Sequence, residues 1–198
     1  MRPLLAAVLL LSCGAARPLA AQWNLGIDLA ATRYGGSTHD TSNSHVASQG
    51  RPGDATAISL RLGRNWRRHG VALRFSYAKP GFAVTGQNIN LTDKTTGDLI
   101  EISTLVNTRV RGIGPSGAAW IELGPALHLW NFDGDARARV SAQGAAVYEW
   151  PITGRLGGAV RLEGLLSPCW FDAGDVPPEF ERRVTWRYSV GLGLRYRL

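Results

Sequence analysis

Cysteine is nearly absent from this sequence. It has two, Cys13 and Cys169. The first falls in a segment that reads as a cleaved leader, which leaves one thiol and excludes an intramolecular disulfide as the staple of the fold. Long apolar runs are also missing beyond residue 21. A helix needs about 20 consecutive apolar residues to cross a bilayer, so no helical span is expected. Strands escape that exclusion, because an apolar residue at every second position suffices for them. Acidic residues are scarce beside basic ones, 15 Asp and Glu against 22 Lys and Arg. That balance favours anionic partners such as lipid headgroups or lipopolysaccharide. It also suits nucleic acid, but an exported chain does not meet it, so no nucleic-acid partner is expected.

What is present begins with the leader. Arg2 is its basic start, Leu4–Leu11 its short apolar stretch, and small residues run to Ala20-Ala21. This is the pattern of a secretory signal, with cleavage after Ala21 and Gln22 as the new terminus. A lipoprotein signal ending at Cys13 is the alternative, which Leu11 fits poorly. Loss of Arg2 and Arg17 lowers the formal charge from +7 to +5. The remaining residues, 22–198, suit one domain.

That domain alternates apolar and polar residues with period two, interrupted by Gly, Pro, Asn and Asp. Eight strands are predicted: Trp23–Arg33, Ala55–Trp66, Val71–Lys79, Asp98–Arg111, Ala118–Trp130, Arg139–Trp150, Arg155–Leu166 and Val184–Leu198. Leu105 breaks the polar face of the fourth, and Arg109 and Arg111 fall on that face. Residues Phe82–Thr92 read as half of a projecting hairpin turning at Asp93–Gly97, and Asn131–Ala138 reads as a loop. Connections after odd strands are longer than those after even strands. This matches outer-membrane barrels, whose periplasmic turns are short and external loops long. Trp23, Trp66, Tyr148, Trp150 and Tyr196 fall at one set of strand ends, and Tyr77, Trp186 and Tyr188 at the other. Aromatic rings prefer the headgroup level. Trp120 and Trp130 lie on the polar parity and stand outside this belt. The expected fold is all-β, an eight-stranded antiparallel up-and-down transmembrane barrel.

The most specific local piece is Trp186-Arg187-Tyr188-Ser189-Val190-Gly191-Leu192-Gly193-Leu194-Arg195-Tyr196-Arg197-Leu198. On it, the chain resembles the small eight-stranded outer-membrane barrels of the OmpA/OmpX type. The resemblance is architectural and spans roughly Gln22–Leu198. It implies a bacterial outer-membrane location, a monomer, contact with lipid and lipopolysaccharide, and reading of the last strand by the barrel-assembly machinery. The family usually ends in Phe; Leu198 departs from this.

By parity, Asp28, Glu101, Glu122 and Glu163 share the interior with Arg61, Arg74, Arg109, Arg161 and Arg187. Eight strands enclose a space that side chains just fill, and charges buried there must pair. A structural ion-pair plug is therefore expected, with a gated pore or proton path as the alternative. His128 lies near an outer strand end, where a general base would suit lipid chemistry. No Ser accompanies it on its own strand, and Glu122 is too far along that strand to orient the ring. His39, His45 and Asp40 form a weak metal pattern. Gly112–Gly117 spells a dinucleotide-type string, but Pro115 and the strand that follows make it a turn. Asn90-Leu91-Thr92 is a short glycosylation triplet that says little. Arg182 and Arg183, at the outer rim, are candidate contacts for headgroup phosphates. No catalytic residue, cofactor or metal is expected.

The expected function is a non-enzymatic outer-membrane protein serving envelope integrity or surface interaction through its loops. The alternatives are an outer-leaflet lipid-modifying enzyme and a soluble, periplasmic, lipocalin-like binder of an apolar ligand. The latter requires the apolar parity to point inward.

Overall fold

The computed structural model describes residues 22–40, 49–86, 90–93, 97–114, 116–132, 134–172, 174, 178 and 180–198. The expected leader at 1–21 and His45 lie outside them. In chain order the strands are β1 (Gln22–Gly35), β2 (Thr38–Asp40), β3 (Gln49–Pro52), β4 (Ala55–Trp66), β5 (His69–Ala78), β6 (Phe82–Thr85) and β7 (Asn90–Asp93). There follow β8 (Asp98–Ile113), β9 (Gly117–Phe132), β10 (Asp135–Thr153), β11 (Leu156–Ser167), β12 (Phe180–Arg182) and β13 (Thr185–Arg197). Eight of these close into an antiparallel barrel in the order β1-β13-β11-β10-β9-β8-β5-β4. The remaining five make two small sheets at one end, β12-β2 and β3-β6-β7. No helix among the described residues is long and apolar enough to cross a membrane; a barrel crosses with strands.

Alternation decides which way each side chain faces. On β1, Leu25, Ile27 and Leu29 are exposed while Asn24, Asp28 and Thr32 are buried. On β13, Trp186, Tyr188, Val190, Leu192, Leu194 and Tyr196 are exposed, and Arg187, Ser189 and Arg195 are buried. The rule holds round the barrel, so the outside is an apolar belt and the inside is charged. This inverts a lipocalin, and that alternative is set aside. Leu105, Trp120 and Trp130, which sit on the polar parity, are buried inside.

One barrel end carries the tight connections. Arg67-Arg68 joins β4 to β5, with Arg67 in the left-handed region at φ 45°. Residues 114–116 join β8 to β9, and Gly154-Arg155 joins β10 to β11. Both ends of the barrel sheet are also here, since Asn24 pairs with Arg197. The short-turn rule makes this the end expected to face the periplasm in an outer-membrane barrel, and it is called the periplasmic end below.

Two expectations at the opposite end are corrected. The hairpin over residues 82–93 pairs Phe82 with Asp93 and Thr85 with Asn90, so it turns between 85 and 90 and not at Asp93–Gly97. β3 pairs with β6 and completes a three-stranded external sheet. Asn131–Ala138 is no loop: the β9–β10 ladder continues to Phe132 and Asp135, and Gly134 turns it at φ 94°.

Candidate functional site

The interior is the candidate, and strand pairing assembles it. A seam of glycines on β13 gives room for the first acid. An added Cβ at Gly193 would lie 2.0 Å from Asp28 Oδ1 and 2.8 Å from the Ile27 carbonyl. Only hydrogen fits beside that carboxylate. Asp28 then meets Arg195 at 2.8 Å, and Arg195 also stands 3.5 Å from Glu149.

Across the lumen the other pairs join into one chain. Arg61 donates to Glu122 at 2.8 Å and to Asn24 Oδ1 at 2.6 Å. Arg161 bridges Glu122 to Glu163, reaching the latter at 2.9 Å. Glu163 is the centre: Arg74 approaches it at 2.7 Å and Arg187 at 2.5 Å. Arg187 and Arg74 continue to Glu101 at 2.7 and 3.6 Å. Every member is buried. Eight of the nine residues expected inside by parity are therefore in ion pairs there.

Arg109 is the exception and a correction. Its side chain is exposed, at the periplasmic mouth. Beyond it a bulge between Arg109 and Arg111 shifts the β8–β9 register. Arg111 is then opposite Ala119, on the same face as Ile121, and has left the luminal side.

Sequence reasoning missed the partners of His128. Its Nε2 lies 3.0 Å from Glu101 Oε2 and 3.2 Å from Ser141 Oγ. Ser141 comes from β10, the adjacent strand, so the search for a serine along the same strand overlooked it. A serine, an imidazole and a carboxylate thus meet at the outer part of the lumen. Both contacts fall on the same ring nitrogen, however. Ser141 Oγ also lies 3.1 Å from the Ala126 carbonyl, an acceptor for its proton. His128 Nδ1 is buried with no hydrogen-bond partner.

Aromatic rings close the lumen above this trio. Tyr34, Leu99, Trp130 and Trp170 form a buried cluster with Phe82, Phe132 and Phe171 against it. Trp130 packs on Trp170 with ring centroids 4.8 Å apart and edge-on to His128 at 6.2 Å. At the other end, Trp120, Ala145, Val147 and Ala159 form a second cluster. Below them is a cavity of about 280 Å³, lined by Asn24, Arg67, Arg109, Glu149, Trp150 and Arg197 among others.

The outer-rim arginines occupy a groove beside β12. Arg182 and Arg183 line it with Arg139, Cys169 and Phe171. Arg183 is paired with Glu181 at 3.0 Å and Arg139 with Asp172 at 2.7 Å; Arg182 is exposed. Cys169 is half-buried, its Sγ donating to the Ser37 carbonyl at 3.0 Å, and burial pushes the thiol above its ordinary range. Among the described residues no three His, Cys, Asp or Glu side chains group to hold a metal ion.

No family model and no curated protein matches the chain. Solved structures do. Neisserial surface protein A, NspA, is 10% identical and superposes with a TM-score of 0.59, over 90% of this chain and 99% of that one. OprG from Pseudomonas aeruginosa is 11% identical with a TM-score of 0.54, over 90% and 95%. Ail of Yersinia pestis, solved with the heparin analogue sucrose octasulfate, is 15% identical with a TM-score of 0.51, over 90% and 99%. The shared feature is the fold, the small eight-stranded outer-membrane barrel.

Proposed function

We propose that this chain, an outer-membrane-type barrel of eight strands, is a non-enzymatic, non-conducting protein of the bacterial outer membrane that serves through its external surface. The observation that carries the reading is the filled lumen. A continuous ion-pair chain from Arg61 to Glu101 lies between two hydrophobic clusters, and a pore would need a water path where these side chains stand. The network is a plug, and its worth is rigidity. The parts left free to act are the external sheets β3-β6-β7 and β12-β2 and the lipid-facing belt. Arg182 and Arg183 stand just beyond the stacked pair Trp186 and Tyr188, whose ring centroids are 5.2 Å apart. Aromatics of this kind mark the headgroup level, which supports reading the two arginines as contacts for phosphates of the outer leaflet. The exposed alternation of β13 is the feature the barrel-assembly machinery would read. Purified monomer in planar bilayers is expected to give no steady conductance. Large, long-lived open events would overturn the plug.

The meeting of Ser141, His128 and Glu101 favours a second reading, acyl transfer on an outer-leaflet lipid. Acyl transfer by serine requires its hydroxyl to donate to the imidazole and the carboxylate to hold the opposite ring nitrogen. Here both partners share Nε2, the hydroxyl has the Ala126 carbonyl for its proton, and the aromatic cap lies between the trio and the exterior. Ser141 is expected to stay unlabelled by a fluorophosphonate in folded protein. Stoichiometric labelling lost in Ser141→Ala would make the enzyme reading the better one.

A further inference from the structure

Charge is distributed unevenly between the two barrel ends. At the periplasmic end Arg67 and Arg68 stand in the β4–β5 turn, Arg109 and Arg111 at the end of β8, Arg155 in the β10–β11 turn and Arg197 at the end of β13, all exposed. Against them, among the described residues, this end has one acidic side chain, Glu149, which is turned to Arg195 at 3.5 Å. Most described cations of the opposite end stand beside an acid: Arg33 is 3.8 Å from Asp54, Lys79 3.6 Å from Asp98 and Arg137 3.8 Å from Asp135; exposed Arg182 is the exception. The barrel's excess positive charge is thus concentrated at the periplasmic rim.

A seventh arginine fixes the depth of that charge. Arg64 is on the outward parity of β4, one alternation beyond Leu62. Its guanidinium stands 5.3 Å from the Trp23 ring and 5.5 Å from the Trp66 ring. These two tryptophans edge the apolar belt, where such rings mark the headgroup level. The bulge in β8 brings Arg111 to the same outward face.

We infer that this rim is a binding collar for anionic phospholipid headgroups of the periplasmic leaflet. A lipid leaflet surrounds the barrel on all sides, and the arginines come from separate turns around the circumference. A folded acidic protein would meet one sector and leave the rest uncompensated. Guanidinium pairs with phosphodiester oxygens in a bidentate fork and stacks on indole, so arginine suits a site that is half aromatic belt and half headgroup. The inference rests on the membrane reading and goes beyond it.

The test uses the folded barrel in vesicles of phosphatidylcholine, with spin-labelled phosphatidylglycerol or spin-labelled phosphatidylcholine as probe. The motionally restricted fraction of each label gives their relative association constant. Phosphatidylglycerol is expected to be preferred by about threefold at low salt, from the attraction of each surface arginine, and less so at high salt. Arg68→Gln, Arg111→Gln and Arg155→Gln together are expected to bring the ratio close to one. The matched set Arg33→Gln, Lys79→Gln and Arg137→Gln removes the same charge from the other end and is expected to leave it. No preference in the unaltered protein, or equal loss in both sets, would overturn the collar. Heat-modifiable migration in detergent gels confirms that each variant is a closed barrel, so failure of the collar is distinct from failure of the membrane reading.

Discussion

Glu163→Gln is expected to destabilise the barrel by about 3–5 kcal/mol, the cost of removing one partner from a buried charge cluster. Glu163 takes bonds from Arg74 at 2.7 Å, Arg161 at 2.9 Å and Arg187 at 2.5 Å. The carboxamide keeps the shape but loses the charge, and one of its two ends becomes a donor facing guanidinium donors. Three buried cations are then left with Glu101 and Glu122 alone. Urea titration of the barrel in lipid vesicles, followed by tryptophan fluorescence, measures the effect. Glu149→Gln is the comparison: that side chain is 25% exposed and meets Arg195 at 3.5 Å, so water screens it and a change within about 1 kcal/mol is expected. Equal, small effects at both positions would mean that the lumen is wet and the plug an illusion of packing.

The second large effect concerns the outer surface. Leu192 is 65% exposed in the middle of β13, opposite Leu29 and Val160. In water, such a leucine is replaced by arginine at almost no cost. In a bilayer the same change costs about 2–4 kcal/mol near the midplane and about 0–1 at the interface. Leu192→Arg is therefore expected to lower the unfolding free energy in vesicles strongly, and Val184→Arg, 57% exposed just outside β13, hardly at all. The contrast between two positions that are both more than half exposed is the measurement. Equal effects would remove the bilayer from the account of this fold.

The strands were legible in the sequence because a barrel wall leaves each residue only two environments. Alternation alone assigned β4 to Ala55–Trp66 and turned Leu192 outward and Arg187 inward. The acid and arginine parities were legible for the same reason. Which acid meets which arginine was not, because contacts across the lumen depend on strand tilt and stagger, which no local pattern encodes. Arg74 and Glu163 are 89 residues apart in sequence. Ser141 reaches His128 through the β9–β10 register, and no spacing along one strand reveals it. Arg111 was misread because a bulge shifts the parity on which the reading depended, and Arg109 because its luminal parity falls at the open mouth, where the side chain stays exposed. The aromatic cap was half visible. Trp130 stood on the wrong parity for a lipid belt, but Trp170, its partner, comes from a connection that has no period at all.

The seam between β1 and β13 has a consequence in time. It joins Asn24 to Arg197 and Gly35 to Trp186, the first and last strands to leave the ribosome. Until β13 arrives, every partial sheet presents two raw edges whose backbone groups seek a partner. Closure therefore waits for the thirteen-residue strand β13, and truncation of that strand is expected to leave the sheet open.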